Sequence, residues 1–329
     1  MKTIHLFLIA AICSIAPAAF AQDTEKYNKL TGEARQFYET GDYEKAGQKF
    51  ADAFVALGNK GVIQDRYMAA SAWAMAGQPD SAFVNLFKIV DSGYYTDKAE
   101  VVSDSTFTPL HTDRRWTALM DKFAEVEAKL DKPLIALLDT IFHDDQQHRL
   151  QLDSIGKKHG VGSEEWKAIG KVIIKKDSLN LIKVKQILDE RGWLGRDIIG
   201  PQGNQTLFLV IQHADLETQQ QYLPMMQEAV KNGDANGAEL ALLEDRIAFR
   251  TGKRQTYGSQ LWQDPETGTY HVLPLEDPDN VDQRRASVGL GKLADYIAYW
   301  GLEWDVEAYK KMLPELEEKV KAQLLPKEN

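Results

Sequence analysis

Apolar residues recur at helical spacing from residue 24 to about residue 123, and this periodicity most limits the folds that the chain can adopt. Ala34, Phe37 and Tyr38 form one stripe, which Gly41-Asp42 interrupts. The next stripe consists of four residues, Tyr43, Ala46, Phe50 and Ala53. Each stripe places small and apolar side chains on one helix face, where they can pack against a neighbouring helix. The pattern therefore predicts a helix–turn–helix with a glycine at the turn.

This helix–turn–helix resembles a tetratricopeptide repeat over residues 34–53, with Gly41, Tyr43 and Ala46 at the best-matching positions. A looser copy has apolar residues on both sides of Gly77, namely Tyr67, Ala70, Ala74, Ala82, Leu86 and Ile89. The residues that follow resemble the terminal unit that often closes short arrays of such repeats. The resemblance rests on Gly93-Tyr94, Phe107, Leu110 and Arg115-Trp116. Since one repeat cannot bury its apolar face alone, the resemblance implies stacked repeats and a cap over residues 22–130.

The N-terminus, residues 1–21, has the parts of a secretory signal peptide. Lys2 supplies the positive start, and residues 6–19 form an apolar run that is too short for a stable membrane anchor. Ala19-Phe20-Ala21 then supplies the small residues that a cleavage site needs. The alternative is a buried N-terminal helix, but strongly polar sequence follows at once. The sequence therefore predicts cleavage after Ala21 and a periplasmic or extracellular location.

Cys13 is the only cysteine, and Ile12 precedes it where a lipoprotein signal normally carries a small residue. We therefore expect no lipid anchor and a mature chain without disulfides or thiol chemistry, which suits a bacterial periplasm. Loss of Lys2 with the signal takes the net charge from −10 to −11. This acidity argues against general binding of nucleic acid or of an anionic membrane surface. No later apolar run reaches the roughly 18 residues that a membrane span needs.

A second domain is predicted over residues 131–329, because Asp131-Lys132-Pro133 marks a break in helical structure. Its helices are expected at about 133–157, 163–190, 205–213, 217–232, 236–251, 281–286, 292–300 and 305–322. Between them, residues 257–262 and 269–273 are expected to form short strands, joined by a turn that contains proline and glycine. The predicted fold class is therefore mainly α: a short tetratricopeptide-like repeat unit is followed by a second helical domain with a small β-hairpin near residues 256–273.

Familiar motifs of cofactor binding and catalysis are missing from the sequence. It has no glycine-rich phosphate loop between a strand and a helix, no Gly-x-Ser-x-Gly elbow and no His-Glu-x-x-His pair, and we expect no cofactor. A mature chain without cysteine also has no thiolate metal site. The possible imidazole and carboxylate ligands that remain are Asp144, Asp145, His148, His213 and Asp215. Their spacing matches none of the stronger metal-binding signatures. No metal is therefore expected.

Polar residues instead stand where a plain helical protein would place apolar ones. Asp145 and Arg149 are one helical turn apart and share a face. Gln212-His213-Ala214-Asp215 ends the apolar run 207–211, so it is expected to emerge from a buried helix. The other groups are Asp245-Arg246, the hairpin-entry motif Gln255-x-Tyr257-Gly258-x-Gln260, and a weaker set made of Asp277-Pro278, Asp282, Arg284 and Arg285.

The stretch from about residue 134 to residue 296 resembles a bacterial domain family of unknown function that is often found behind signal peptides. The resemblance rests on separated motifs, which are Asp145-Gln146-x-x-Arg149, Gly192-Trp193, Gln212-His213-Ala214-Asp215, Leu223-Pro224-x-Met226, Ala241-x-x-x-Asp245-Arg246 and Gln255-x-Tyr257-Gly258-x-Gln260. The family often has proline where Leu194 stands and threonine where Ser259 stands. Because the family is uncharacterised, the resemblance implies no activity.

If these motifs converge, their side chains suit acid–base hydrolysis or the recognition of an anion. His213 is the candidate general base, and Asp215 or Asp145 would orient its imidazole. Arg149 or Arg246 would hold a carboxylate or phosphate. The other candidate ligand-binding residues are Gln212, Asp245, Gln255, Tyr257 and Gln260. The structural alternative is that the charged residues form ion pairs between helices and that the glutamines and His213 satisfy buried backbone groups.

The sequence leaves open whether the protein is an enzyme. We expect a periplasmic interaction or ligand-binding protein, whose partner is a protein or a small anionic ligand and whose polar pocket lies in the second domain. The first alternative is a cofactor-independent hydrolase that uses His213 as general base. The second is a structural assembly factor without a convergent pocket. A site requires the polar residues to meet in one cleft that solvent can reach.

Overall fold

The computed structural model describes residues 21–92, 98–264 and 267–324. The predicted signal peptide lies outside these residues except for Ala21, and so does part of the turn between the predicted strands. The described residues are mainly helical and contain one small pair of antiparallel strands. The predicted mainly α fold with a small β-hairpin is therefore confirmed.

The helices span most of the described chain. Those of the first half are α1 (Ala21–Glu39), α2 (Tyr43–Ala56), α3 (Ile63–Met75), α4 (Pro79–Asp91), α5 (Lys98–Ser103) and α6 (Arg114–Lys129). Those of the second half are α7 (Lys132–His159), α8 (Glu164–Arg191), α9 (Arg196–His213), α10 (Leu216–Asn232), α11 (Gly237–Arg250), α12 (Val281–Ser287), α13 (Leu293–Ala298) and α14 (Val306–Leu324). Two 3-10 helices cover Ser105–Leu110 and Pro278–Asn280. Among these helices, none combines the length and the apolar character that a membrane crossing requires.

The described residues divide into two compact units. The N-terminal unit contains residues 21–135 and 196–201, and the C-terminal unit contains residues 136–195 and 202–324. The predicted domain boundary near residue 131 and the tetratricopeptide-like character of the N-terminal unit both stay predictions.

In the N-terminal unit, consecutive helices pack against each other: α1 with α2, α2 with α3, and α3 with α4. Gly41, with a φ of +79°, makes the first turn, and Asp42 caps α2 by accepting the backbone N–H of Lys45. Close approach depends on Gly47, where a Cβ atom would lie 2.5 Å from a ring carbon of Trp73. The residues of the two predicted stripes that are fully buried are Ala34, Ala46, Phe50 and Ala53, so the stripes do form the contacts between helices.

In the C-terminal unit, the 28-residue helices α7 and α8 meet through polar side chains. The contacts that join them include Asp144 Oδ1 with Lys176 Nζ at 2.7 Å, Arg149 Nη2 with Asp177 Oδ2 at 2.8 Å, and Asn180 Nδ2 with the Ile141 carbonyl at 3.4 Å. Residues near the middle of α7 therefore meet residues near the middle of α8. This arrangement turns the polar face of α7 that carries Arg149 towards α8.

Helix α9 is longer than its apolar pattern predicts. The sequence predicts a helix over 205–213, whereas α9 begins at Arg196. A kink at Gly200, which has a φ of +69°, separates the first turn from the rest, and Pro201 follows it. Beyond the kink, the buried run Leu207–Ile211 anchors the helix and thereby positions the polar residues at its end.

The predicted hairpin consists of β1 (Leu261–Gln263) and β2 (Tyr270–Val272), which pair antiparallel with Trp262 opposite His271. Each strand is only three residues long, so the hairpin cannot be stable alone. It packs on helices α13 and α14 through an apolar cluster whose buried members include Trp262, Val272, Leu273, Leu293, Ile297, Tyr309 and Leu313. The loop before β1 is therefore held between α11 and this cluster.

Candidate functional site

His213, the last residue of α9, is hydrogen-bonded to Asp145 in α7. Its Nδ1 lies 2.9 Å from Asp145 Oδ1, and the two side chains are 5% and 1% exposed. The buried residues 207–211 fix α9 in the protein interior. His213 lies in the last turn of the same helix, directly after these residues, and is therefore held in a fixed position. Of the two predicted orienting carboxylates, the structure therefore selects Asp145.

The pairing determines which ring nitrogen of His213 is free. Burial is the main cause that lowers the pKa of His213, so its imidazole is neutral at pH 7. An ionised carboxylate only accepts hydrogen bonds, so Nδ1 carries the proton and donates it to Asp145. The lone pair is then on Nε2, which is buried and has no hydrogen-bond partner among the described residues. His213 thus presents an unused basic nitrogen to the protein interior.

Arg149 joins the histidine pair to a third carboxylate, Asp177 of α8. Its Nη1 donates to the backbone carbonyl of Asp145 at 2.7 Å and lies 3.4 Å from Asp145 Oδ1, and its Nη2 lies 2.9 and 2.8 Å from the two oxygens of Asp177. Asp177 is not among the residues that the sequence predicts for this site. The available signal was charge complementarity, because Lys176 and Asp177 on α8 are opposite in charge to Asp144 and Arg149 on α7.

The two aspartates of this cluster have opposite pKa shifts. Burial alone would raise the pKa of Asp145, but His213 and Arg149 favour its ionised form and lower that pKa below its usual range. Burial also raises the pKa of Asp177, and there the neighbouring Asp145 adds to the rise while Arg149 opposes it. Asp145 is therefore the firmly ionised member that orients the imidazole.

Asp145, Asp177 and His213 have potential metal-ligand atoms that all lie within 4.8 Å of one another. The guanidinium of Arg149, however, already contacts both oxygens of Asp177 and approaches Asp145. A metal ion at this point would have to displace that cation or accept its repulsion. The donor set therefore fits an arginine better than a metal ion, and the absence of a metal stays a prediction.

Arg246 of α11 is the least satisfied charged residue near this cluster. It is 5% exposed, its Nε and Nη1 are buried without partners, and it forms no ion pair with any described residue. Its pKa is lowered to about 9, mainly by burial and also by the nearby guanidinium groups of Arg250 and Arg149. Arg250 differs, since it donates to the Ala214 carbonyl at 2.8 Å.

Gln212 precedes His213 and contacts the same helix as Arg246. Its Nε2 makes a long hydrogen bond of 3.5 Å to the Leu242 carbonyl, and its Oε1 is buried without a partner. In an α-helix, the backbone N–H of residue 246 bonds to the carbonyl of residue 242. The Gln212 amide therefore lies one turn before Arg246 on α11.

Asp245 is adjacent to Arg246, and its carboxylate is occupied by hydrogen bonds from the backbone. Its oxygens accept the backbone N–H groups of Thr256 at 2.7 Å, Tyr257 at 3.0 Å and Ser259 at 2.9 Å. Burial raises the pKa of Asp245, and these three donors oppose the rise. The carboxylate thus holds the loop before β1, which corrects its prediction as a ligand-binding residue.

The side chain of Gln255 in the same loop is also occupied by backbone groups, whereas Gln260 Nε2 donates to the Ser259 hydroxyl at 3.1 Å. Gln255 Nε2 donates to the carbonyls of Gln260 and Leu273, and its Oε1 accepts the Gln260 N–H at 2.8 Å. The Tyr257 ring packs near a small apolar cluster of Ala238, Ala241 and Leu290. The motif Gln255-x-Tyr257-Gly258-x-Gln260 therefore shapes the entry to the hairpin, and the structure does not place Gln255, Tyr257 or Gln260 in the His213 cluster.

A comparison with protein-family models finds a match over residues 134–308, to a family of unknown function, DUF6624. The chain belongs to this family. The DUF6624 region contains every predicted site residue and also Asp177, and it leaves out most of the N-terminal unit. No curated protein and no solved structure matches the chain.

Within the DUF6624 region, the predicted residues do not line one open cleft. Asp215 is exposed and caps α10 by accepting the Thr218 N–H at 2.8 Å, so it does not orient His213. Another group of polar residues lies near the end of α9, and only Arg149 and Asp177 among them have partly exposed side chains. This group, hereafter the α9-end cluster, consists of Asp145, Arg149, Asp177, Gln212, His213 and Arg246. Its most open basic member is Arg149, whose side chain is 16% exposed. The described residues therefore bring only some of the predicted site residues together, and ligand binding by them stays a prediction.

Proposed function

We propose that the protein is exported and that its DUF6624 domain binds a small anion through Arg246. The observation that carries this proposal is the state of the Arg246 guanidinium, which is buried and unpaired in the described part of the chain. Of the three arginines in this region, Arg149 and Arg250 have protein partners and Arg246 has none.

The physical argument is the cost of burying a charge. Moving a charged group out of water costs on the order of several kcal/mol unless an opposite charge compensates it. A carboxylate or phosphate can accept two parallel N–H bonds from one guanidinium, which supplies both charge and geometry. The neighbouring Arg149 and Arg250 add positive potential at the same place. An anion is therefore the ligand that the α9-end cluster favours most.

Anion binding is tested by thermal unfolding in acetate and in inorganic phosphate, with Arg246→Met as the variant and the exposed Arg114→Met as the control. The melting temperature of the wild type and of the control should rise with anion concentration, and that of Arg246→Met should not. Without anion, Arg246→Met should be at least as stable as the wild type, because it removes an uncompensated buried charge. An equal rise in both variants would contradict the proposal, as would a wild type that does not respond.

Export is supported by the sequence of residues 1–21. We expect the mature protein to begin at Gln22 and to be recovered from the periplasm or the medium. Mass spectrometry of the N-terminal peptide, combined with cell fractionation, checks this. A cytoplasmic protein that still begins at Met1 would contradict it.

A second candidate function is a cofactor-independent hydrolase, and the Asp145–His213 pair favours it. A neutral imidazole with a carboxylate on Nδ1 and a free Nε2 has the tautomer that a general base needs. His213→Asn distinguishes a role as general base from a structural role. Its amide can still donate to Asp145, but it cannot accept a proton as Nε2 does. Chromogenic esters and phosphate monoesters serve as test substrates. If the protein is a hydrolase, the wild type should turn over one of them. His213→Asn should then lose this turnover and keep the melting temperature of the wild type. Turnover that the variant retains would contradict it.

A further inference from the structure

The unpaired groups of the α9-end cluster are of two chemical kinds. Arg246 offers only donors, through Nε and Nη1. His213 Nε2 and Gln212 Oε1 offer acceptors, and both are buried without partners. A bare anion could satisfy the arginine but neither acceptor, since it has no proton to donate.

Several contacts bring these groups to the same end of α9. Gln212 and His213 are consecutive residues there, and the Gln212 amide contacts α11 one turn before Arg246. Arg149, which bonds to Asp145 and so sits beside His213, is also close enough to Arg246 to act on its charge. The donor of Arg246 and the acceptors of Gln212 and His213 therefore lie near the same end of α9.

We propose that the ligand is a small hydroxylated anion of the hydroxy-acid class. Its anionic group would pair with Arg246, and its hydroxyl would donate to His213 Nε2 or Gln212 Oε1. This inference rests on the proposed anion binding at Arg246 and adds the second recognition element.

A hydroxyl fits better than the other donors that a small anion can carry. An ammonium group would meet the repulsion of Arg246 and of Arg149 and Arg250, which both act on the charge of Arg246. A hydroxyl donates one proton without a charge and therefore avoids this repulsion. The competing explanation is a bound water that donates to both acceptors, in which case the ligand needs no hydroxyl.

The test uses three anions of similar size: acetate, which has no donor, glycolate, which adds a hydroxyl, and glycine, which adds an ammonium. Their dissociation constants are measured on the full chain by calorimetry. Glycolate should bind roughly tenfold to a hundredfold more tightly than acetate, because two buried acceptors otherwise stay unpaired. Glycine should bind more weakly than glycolate.

The variant that isolates the hydroxyl contact is His213→Asn, with the exposed His143→Asn as its matched control. The asparagine amide can replace Nδ1 as the donor to Asp145, but it has no acceptor at the Nε2 position. We expect His213→Asn to bind acetate as the wild type does and to lose most of its preference for glycolate. His143→Asn should keep that preference in full.

The outcomes separate this inference from the proposed function. If acetate and glycolate bind equally tightly, or if glycine binds most tightly, the hydroxyl inference fails and anion binding stands. If none of the three anions binds and phosphate also fails, the proposed function fails with it. If His213→Asn does not fold, the 15N chemical shift of His213 Nε2 in the wild type is measured instead. Glycolate should change this chemical shift and acetate should not. An equal change with both anions overturns the inference.

Discussion

His213 Nδ1 and Asp145 Oδ1 are joined by a 2.9 Å hydrogen bond although the two residues lie 68 positions apart in the chain. The bond connects the end of α9 with the middle of α7, and both side chains are almost fully buried. It therefore acts both as a structural link and as the device that leaves Nε2 as the free nitrogen. Separating these two roles requires measurements of stability as well as of binding.

Replacement of Asp145 should be far more costly than replacement of its neighbour Asp144. Asp145→Ala leaves the buried His213 without its partner and Arg149 with Asp177 as its remaining carboxylate, and we expect a loss of about 3–5 kcal/mol in the free energy of unfolding. Asp144 forms a partly exposed pair with Lys176 at 2.7 Å, so Asp144→Ala should cost less than about 1 kcal/mol. Urea denaturation measures both. Similar losses in the two variants would show that Asp145 is not a buried structural link.

Asp245→Ala should release the loop before the hairpin. Three backbone N–H groups, of Thr256, Tyr257 and Ser259, lose their common acceptor, and we expect a loss of about 3 kcal/mol or more. Hydrogen exchange at these three amides should become faster than in the wild type. Glu244→Ala, the control on the same helix, should leave their exchange unchanged. Full protection of the amides in Asp245→Ala would contradict the assigned role.

Two glycines of the N-terminal unit should respond in opposite ways to alanine. At Gly47 a Cβ atom would lie 2.5 Å from the Trp73 ring, so Gly47→Ala should destabilise the protein by about 1–3 kcal/mol. At Gly32, within α1, no atom lies within 4 Å of the added Cβ. Gly32→Ala should therefore stabilise the protein by about 0.5–1 kcal/mol through helix propensity. Thermal unfolding of the two variants checks this, and a stabilised Gly47→Ala would show that α2 does not pack on α3 as described.

Glu239 should make stability fall as pH rises towards neutrality. Burial raises the pKa of its carboxyl from 4.5 to about 7, so the folded protein retains a proton that the unfolded chain has already lost. The folded state thus binds more protons between those values, and its stability decreases from about pH 4.5 to pH 7 and is constant above. Glu239→Gln should remove this contribution and gain on the order of 2 kcal/mol at pH 8, after allowance for partial exposure.

The measurement for Glu239 is the difference in unfolding free energy between Glu239→Gln and the wild type across pH 4–8. The difference should grow with pH, since only the wild type must ionise a buried carboxyl. Glu217→Gln, which changes an exposed carboxylate, serves as the control and should follow the wild type. A difference that does not depend on pH would contradict the raised pKa.

Local sequence patterns predicted much of the secondary structure. Gly41-Asp42 was predicted to interrupt the first helical pattern, and in the structure Gly41 turns the chain and Asp42 caps α2. The two strands and their approximate positions were also predictable, because turn residues separate them. The start of α9 at Arg196 was not predictable, because a glycine followed by a proline, here Gly200 and Pro201, normally indicates a break between helices.

The candidate site was predictable as a set of residues but not as an arrangement. His213, Asp145 and Arg149 were named from their residue types and their places at helix ends, and they do meet. Asp177 was missed, because no pattern within α8 shows which helix its carboxylate faces.

The sequence by itself determined the helical class of this protein, its small hairpin and the residues with chemical potential, because these depend on spacing and residue type along one segment. Only the tertiary structure decided their roles. Asp245 and Arg246 are adjacent and equally polar in sequence, yet one holds a loop and the other is buried without a partner. Whether a buried charge has a partner depends on side chains brought in from other helices, and no local pattern contains that information.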